Sequence, residues 1–324
     1  MDKSIQLVRR KTIRDLKHGY EIMITNFCNN NCKFCLIGDK FKRNEIYFYS
    51  DEKQKIYSLK KSHMNISKLK EEMKNGLKKG YQKLTFAGTE PTIHPQFFSL
   101  IKIAKNMGYK RIKVVTNGRM FSDPFFLKKS MAVEIDEIVF SIHGHNAKLH
   151  DLLTQSGGSF KQAVKGLKNV ISFIKDVGTN TVINKKNYKF LPQISAKIAK
   201  FGCKNQQFEF LRIIGNAEKN YNSMVPKISR ILPYVKKTID NAENQDINVR
   251  FEEIPFCLHP YPEKCYEDIR KRDINNVTIF DAKFHKKLTK CKKCIYYNKC
   301  FGPWKKYIEK EGTAEFVPIT KDEK

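Results

Sequence analysis

The sequence predicts an α/β fold built on a parallel sheet. Three observations carry that reading: short strand-like apolar runs alternate with segments of helical apolar spacing, the alternation recurs six times, and the chemically distinctive segments follow strand ends. Residues 21–25 (EIMIT) form the first expected strand and deliver the chain to a cysteine-rich loop. The second strand, 84–87 (LTFA), runs into Gly88-Thr89-Glu90-Pro91. The third, 112–116, ends in Thr116-Asn117-Gly118, and the fourth, 138–141, ends in Ser141-Ile142-His143-Gly144. Helical spacing over 67–79, 96–107 and 160–175 separates them. Strands at 179–183 (TNTVI) and 207–213 (QFEFLRI), with helices over 191–201 and 226–239, complete the count.

The cysteine loop reads Cys28-Asn29-Asn30-Asn31-Cys32-Lys33-Phe34-Cys35, a CxxxCxxC spacing. Three thiolates with no fourth nearby suggest a metal site left incomplete, because clusters that only carry electrons use four cysteines at other spacings. A zinc knuckle is the alternative, although zinc sites normally pair CxxC or Cys/His ligands. Together with the polar motifs at successive strand ends, the loop resembles that of the radical S-adenosylmethionine (radical SAM) superfamily. The resemblance implies a partial (β/α)6 TIM-like barrel over residues 20–245, with chemistry at the C-terminal strand ends as in complete barrels. It implies a [4Fe-4S] cluster on Cys28, Cys32 and Cys35 whose open iron binds S-adenosyl-L-methionine. It places Phe34 against adenine, Gly88, Thr89 and Glu90 at the SAM amino group, Asn117 at the same rim, Ser141 and His143 by the ribose, and Arg212 at the carboxylate. Thr89 departs from the second glycine of the family's GGEP motif. One electron would then cleave SAM to a 5′-deoxyadenosyl radical that takes a hydrogen from the substrate.

A second group, Cys257, Cys265, Cys291, Cys294 and Cys300, follows the expected barrel, its last three in a CxxCxxxxxC spacing. This is similar to the SPASM and twitch extensions of radical SAM enzymes, so 246–324 is expected to be a small cysteine-rich cluster-binding extension. A full SPASM region would have a further cysteine where Trp304 stands. The resemblance therefore implies one auxiliary [4Fe-4S] cluster on Cys257, Cys291, Cys294 and Cys300, with Cys265 as spare or alternate ligand. Zinc on the same thiolates is the competing reading. Cys203 reads as an ordinary buried thiol.

Composition bounds the partners. The formal charge of +29 invites nucleic acid, but only 11 of the 62 basic residues are arginine and the lysines are spread along the chain, as on a solvated surface. Tyr296, Tyr297, Phe301 and Trp304, interleaved with lysines, are expected to pack a small metal-centred subdomain rather than stack on bases. Residues 1–19 read as a basic segment without an apolar leader, and no apolar run approaches the roughly 18 residues of a membrane span. A cytoplasmic protein with reduced thiols is expected, with no membrane partner. The insert over 36–66, rich in aromatics and lysines, is a candidate for shaping substrate access. The resemblance implies an electron donor such as flavodoxin or ferredoxin. Its substrate is expected to be a peptide or protein, then a small molecule such as a sugar or cyclitol, then RNA. A non-catalytic zinc protein binding nucleic acid is the alternative of a different class, and it would have no need of the strand-end motifs.

Overall fold

The computed structural model describes residues 19–38, 63–262 and 283–321, with the backbone of 45–47 and 56–58. The described residues open with β1 (Tyr20–Ile22), followed by a short antiparallel pair, β2 (Glu45–Tyr47) and β3 (Ile56–Ser58). The repeating part follows: α1 (Ile66–Lys78), β4 (Lys83–Phe86), α2 (Phe97–Asn106), β5 (Arg111–Thr116), α3 (Pro124–Met131), β6 (Glu137–Ser141), α4 (Ala147–Thr154), α5 (Ser159–Ile171) and β7 (Asp176–Ile183). It continues with α6 (Leu191–Lys200), β8 (Asn205–Phe210), α7 (Asn216–Lys219), α8 (Tyr221–Met224), α9 (Ile228–Glu243) and β9 (Asn248–Glu252).

The main sheet has seven strands in the order β1-β4-β5-β6-β7-β8-β9, all parallel. Strand order never reverses, so right-handed crossovers place successive helices on one face, as in a barrel rather than a doubly wound sheet. The sheet curls. Glu21 on β1 lies within electrostatic reach of both Lys113 on β5 and Arg212, just past β8. Among the described residues β1 and β9 remain edges, each paired on one side, so the barrel they form is partial.

Strand alternation separates two environments. Ile112, Val114, Ile138, Phe140, Phe208 and Phe210 are fully buried in the main core, each contributing about 1.5–3 kcal/mol by leaving water. Their sequence neighbours on β5 to β8 are only partly buried and include Lys113, Glu137, Asn180 and Glu209. They pair across strands, with Lys113 Nζ at 2.9 Å from Glu137 and Asn180 Nδ2 at 3.3 Å from Glu209. The inner wall is therefore polar, unlike the apolar filling of a complete barrel.

The structure extends the expected strand count. β9 (NVRFE) pairs with β8 in register Phe208↔Phe251, so the sheet runs to 252 rather than ending by 245. With two apolar residues in five, that strand was too weak to read alone. β1 is shorter than expected, and Thr25 instead forms an isolated antiparallel bridge with His63. Helices α3 and α4 were not expected from apolar spacing, but both carry caps: Asp123 accepts from Phe126 N at 2.7 Å and Asn146 from Leu149 N at 2.9 Å.

Beyond β9 the described residues include 3₁₀ segments Phe256–Leu258 and Thr289–Lys293 and the helix α10 (Lys305–Glu311). Tyr307 on α10 docks this extension on the barrel: it is fully buried, and its hydroxyl accepts from Ile228 N at 2.8 Å and donates to Glu315. Among the described residues no helix is long and apolar enough to cross a membrane.

Candidate active site at the barrel mouth

The first cysteine loop, which follows β1, lies against the C-terminal ends of other strands and is gripped from both sides. From the turn after β5, Asn117 Nδ2 donates to Asn29 Oδ1 at 2.6 Å and lies 3.9 Å from Cys28 Sγ. Arg119 donates to Asn29 O and, at 3.0 Å, to Asn30 Oδ1, while its Nε is held by Gln162 of α5 at 2.6 Å. The loop N–H groups of Asn31 and Lys33 donate to Thr154 O and Leu153 O, both at 2.9 Å. They satisfy carbonyls that the end of α4 leaves without helical partners.

From the segment after β8, Asn216 donates through Nδ2 to Cys32 O at 3.0 Å and through its backbone N to Cys35 O at 2.9 Å. Asn220 Nδ2 reaches Lys33 O at 3.1 Å. Gly215 makes this approach possible. Its φ is +61°, and a Cβ there would lie 2.4 Å from Leu36 O and 2.7 Å from Cys35 O.

The three thiols form one electrostatic unit. Cys28 opens to solvent, yet the surrounding protein pushes its thiol up to about 12, with further raising by the Glu90 carboxylate and Cys35. Burial raises Cys32 well above its usual value, and Cys35 and Cys28 add to it. Cys35 is raised by burial too. Backbone N–H groups of Asn30 and Gly38 point at Cys28 Sγ and Cys35 Sγ, each at 3.4 Å. Such donors favour the thiolate, and a bound metal would complete the deprotonation.

The rim motifs surround this loop in different ways. Glu90 is 1% exposed and braces two rim loops. Its Oε1 accepts from Thr92 N (3.1 Å), Thr92 Oγ1 (2.5 Å) and Thr116 Oγ1 (2.7 Å), and its Oε2 from Asn117 N at 2.7 Å. That leaves acceptor capacity on Oε2 rather than a whole free carboxylate. Thr89 Oγ1 donates to Thr25 O at 2.5 Å, a tie to the strand before the cysteine loop that glycine could not make. Gly88, at φ +97°, turns the chain where a Cβ would press on Met23 at 3.0 Å. Ser141, half-buried, sits in register with Asn180.

His143 is buried, and its Nδ1 accepts from Val182 N at 3.2 Å, so the neutral ring carries its proton on Nε2. Burial drives its pKa well below the usual range. The ring stacks on His150 at 5.7 Å and meets the edge of Phe34 at 4.8 Å. Phe34 is itself only 8% exposed. Arg212 is engaged by carboxylates: its Nε pairs with Glu209 Oε1 at 2.7 Å, its Nη2 lies 3.6 Å from Glu253, and Glu21 is within electrostatic reach.

The C-terminal cysteines also come together. Cys257, Cys291, Cys294 and Cys300 line one pocket with Phe256 and Tyr297. Burial pushes the Cys257 thiol up to about 12, and Cys300, Cys291 and Cys294 raise it further. Gly302 N donates to Cys300 Sγ at 3.3 Å. Trp304, where a further cysteine would stand, is 2% exposed and packs on His285 at 4.3 Å. Cys265 lies outside the described residues. Cys203 is a structural thiol, buried with Sγ at 3.4 Å from Asn205 O.

Among the described residues, no three Cys, His, Asp or Glu side chains converge on a position for a single metal ion. Sequence reading missed the residues that shape the first site: Arg119, Gly215, Asn216 and Asn220. The sole available signal was position, since Arg119 and Gly215 each follow a strand end.

Comparison with known proteins agrees with this geometry. The sequence profile of the Radical SAM superfamily matches residues 22–189. The S-adenosylmethionine-dependent nucleotide dehydratase of Lacinutrix mariniflava is 30% identical over 202 residues, covering 61% of this chain and 38% of that protein. A probable GTP 3',8-cyclase of Sulfurisphaera tokodaii is 23% identical over 236 residues, 72% of this chain and 67% of that one. The chain spans about half or less of the length of the first of these curated relatives. Among solved structures, Streptococcus suis SuiB bound to precursor peptide SuiA aligns with a TM-score of 0.61 at 13% identity, over 98% of this chain and 80% of that chain, a likeness of fold. With its sequential parallel sheet and three-cysteine loop at the strand ends, the chain belongs to the radical SAM superfamily, whose enzymes use a [4Fe-4S] cluster and S-adenosylmethionine.

Proposed function

We propose that Cys28, Cys32 and Cys35 hold the [4Fe-4S] cluster, that Cys257, Cys291, Cys294 and Cys300 hold an auxiliary one, and that the substrate is a polypeptide. When bound, the first cluster supplies the electron that cleaves SAM to methionine and a 5′-deoxyadenosyl radical. The chain's own part is positional. The two grips on the cysteine loop hold three thiols at the mouth, Gly88 and the remaining acceptor capacity of Glu90 Oε2 offer a contact for the SAM amino group, and Ser141 with His143 Nε2–H faces the ribose side. The polar inner wall then orients the substrate beneath them.

The observation that carries the polypeptide reading is the pairing of cations on the inner wall. Lys113 bonds Glu137 at 2.9 Å, Arg111 bonds Asp176, and Arg212 bonds Glu209. Three carboxylates, Glu21, Glu209 and Glu253, surround Arg212. A triphosphate would find repulsion there, whereas an amide backbone or a cationic side chain would find partners. The precursor peptide in the SuiB complex adds support from a similar fold. The second reading, a nucleotide substrate, is favoured by the names of the curated relatives.

The test is SAM cleavage by anaerobically reconstituted, dithionite-reduced protein, with extract of the source organism split into macromolecular and small-molecule fractions. 5′-Deoxyadenosine formation stimulated by the macromolecular fraction, and lost after protease treatment of it, is expected. Stimulation by GTP or the small-molecule fraction instead would overturn the polypeptide reading and keep the radical chemistry. No cleavage by protein that carries iron at the first site would overturn both.

A further inference from the structure

Arg119 is the one basic side chain whose described hydrogen bonds reach the cysteine loop, and its surroundings are built to deliver it there. Gly118, at φ +78°, lets the chain turn beneath Phe140, whose ring would lie 2.3 Å from a Cβ at that position. Arg119 N then donates to Asn117 Oδ1 at 3.1 Å, and Nε to Gln162 Oε1 at 2.6 Å, which fixes the plane of the guanidinium. Nη1 donates to Asn29 O and, at 3.0 Å, to Asn30 Oδ1. The next N–H along the chain, that of Asn30, points at Cys28 Sγ at 3.4 Å. A side chain that holds the Asn29 carbonyl therefore holds the peptide unit that aims a donor at the sulfur. Ser156 Oγ reaches the same carbonyl at 3.3 Å, a weaker neutral contact.

We infer that Arg119 is a positioning residue for Cys28: it locks the turn over 28–31, and its charge holds the reduction potential of the cluster bound there above the value the thiolates alone would set. The electrostatic part rests on the ligand reading of Cys28; the mechanical part does not. A fixed cation near a cluster stabilises the added electron, and N–H donors to a cysteine sulfur act in the same sense. Lysine could keep the charge but not the fork that engages Asn29, Asn30 and Gln162 together.

The two parts are tested separately. In apo protein, hydrogen exchange of the amides over 28–31 is followed by mass spectrometry, with the peptide that contains Cys203 as internal reference. Arg119→Gln is expected to speed exchange over 28–31 about tenfold, the opening that follows loss of a charge-assisted hydrogen bond, with the Cys203 peptide unchanged. An unchanged rate over 28–31 would overturn the mechanical part. If the Cys203 peptide also accelerates, the half-exposed Asn30→Ala variant decides: faster exchange over 28–31 alone supports the assignment, and an unchanged rate overturns it. In reconstituted protein, an EPR-monitored titration is expected to give a more negative midpoint for Arg119→Gln and a wild-type midpoint for Arg119→Lys. Equal midpoints in all three would overturn the electrostatic part. Wild-type iron content in a Cys28→Ala/Cys32→Ala/Cys35→Ala variant would instead overturn the ligand reading, leaving the exchange result to stand.

Discussion

The two cysteine groups are built on opposite plans. At the barrel mouth, three thiols sit on a loop held by residues from the ends of β4, β5, α4 and β8, and Cys28 faces solvent. In the extension, four partly buried thiols sit on 3₁₀ turns and loops around an apolar pocket, held by local N–H contacts and by Trp304 and Tyr307 beneath. The first is open and over-supported. The second is lined mostly by apolar groups, and among the described residues its thiols are contacted from within the extension itself. A site that must admit a second molecule needs its geometry held from outside, whereas a closed set of four can let the bound metal do that work.

Removing one set at a time is the strongest way to break this comparison. Changing Cys28, Cys32 and Cys35 together to Ala is expected to abolish 5′-deoxyadenosine formation and leave about four irons per chain. Changing Cys291, Cys294 and Cys300 to Ala is expected to keep the other four irons and SAM cleavage while product formation is lost. Iron analysis beside chromatography of 5′-deoxyadenosine and product checks both, and equal losses from the two variants would mean the sites are not separate.

Trp304→Ala comes next. Emptying a side chain that is 2% exposed is expected to remove about 3–5 kcal/mol from the unfolding free energy. In denaturant titrations of reconstituted protein, iron at the C-terminal site should be lost before iron at the mouth. Gly215→Ala is expected to do the reverse. It forces a Cβ against Leu36 O and Cys35 O at φ +61°, for about 1–3 kcal/mol. Chelator challenge should strip the mouth site first.

The smallest expected effect is on pH dependence. Burial holds the Cys257 thiol up to about 12, while an unfolded cysteine ionises near 8.5. Between those values the unfolded chain releases the proton and the folded apo protein keeps it. The thiol's contribution is therefore complete below about pH 8.5 and is lost as pH rises toward 12. Chemical unfolding of the apo protein across that window should show falling stability, and the loaded protein, with its thiolates already formed, should not. Matching slopes would sink the idea.

Sequence reading located the cysteines because spacing along the chain is itself the signal, and it located the rim motifs because each follows an apolar run. It could not locate β9, whose apolar alternation over five residues is too short to stand out. Arg212 was legible as a charge near the site, but its partners Glu209 and Glu253 reach it through β8, β9 and their turns. Arg119 and Asn216 were invisible for a related reason. They act on a loop some 90 and 184 residues away in sequence, and a single sequence carries no mark of such contacts.

The sequence by itself determined the class of chemistry, because thiol spacing and strand-helix period are local properties, legible without knowing the fold. The curling of the sheet decided what those thiols stand among. It brought the segment after β8 onto the loop after β1, paired the cations of the inner wall with carboxylates, and set Arg212 between Glu209 and Glu253. Those outcomes depend on which strand ends meet, and that is set by packing and register over the whole barrel.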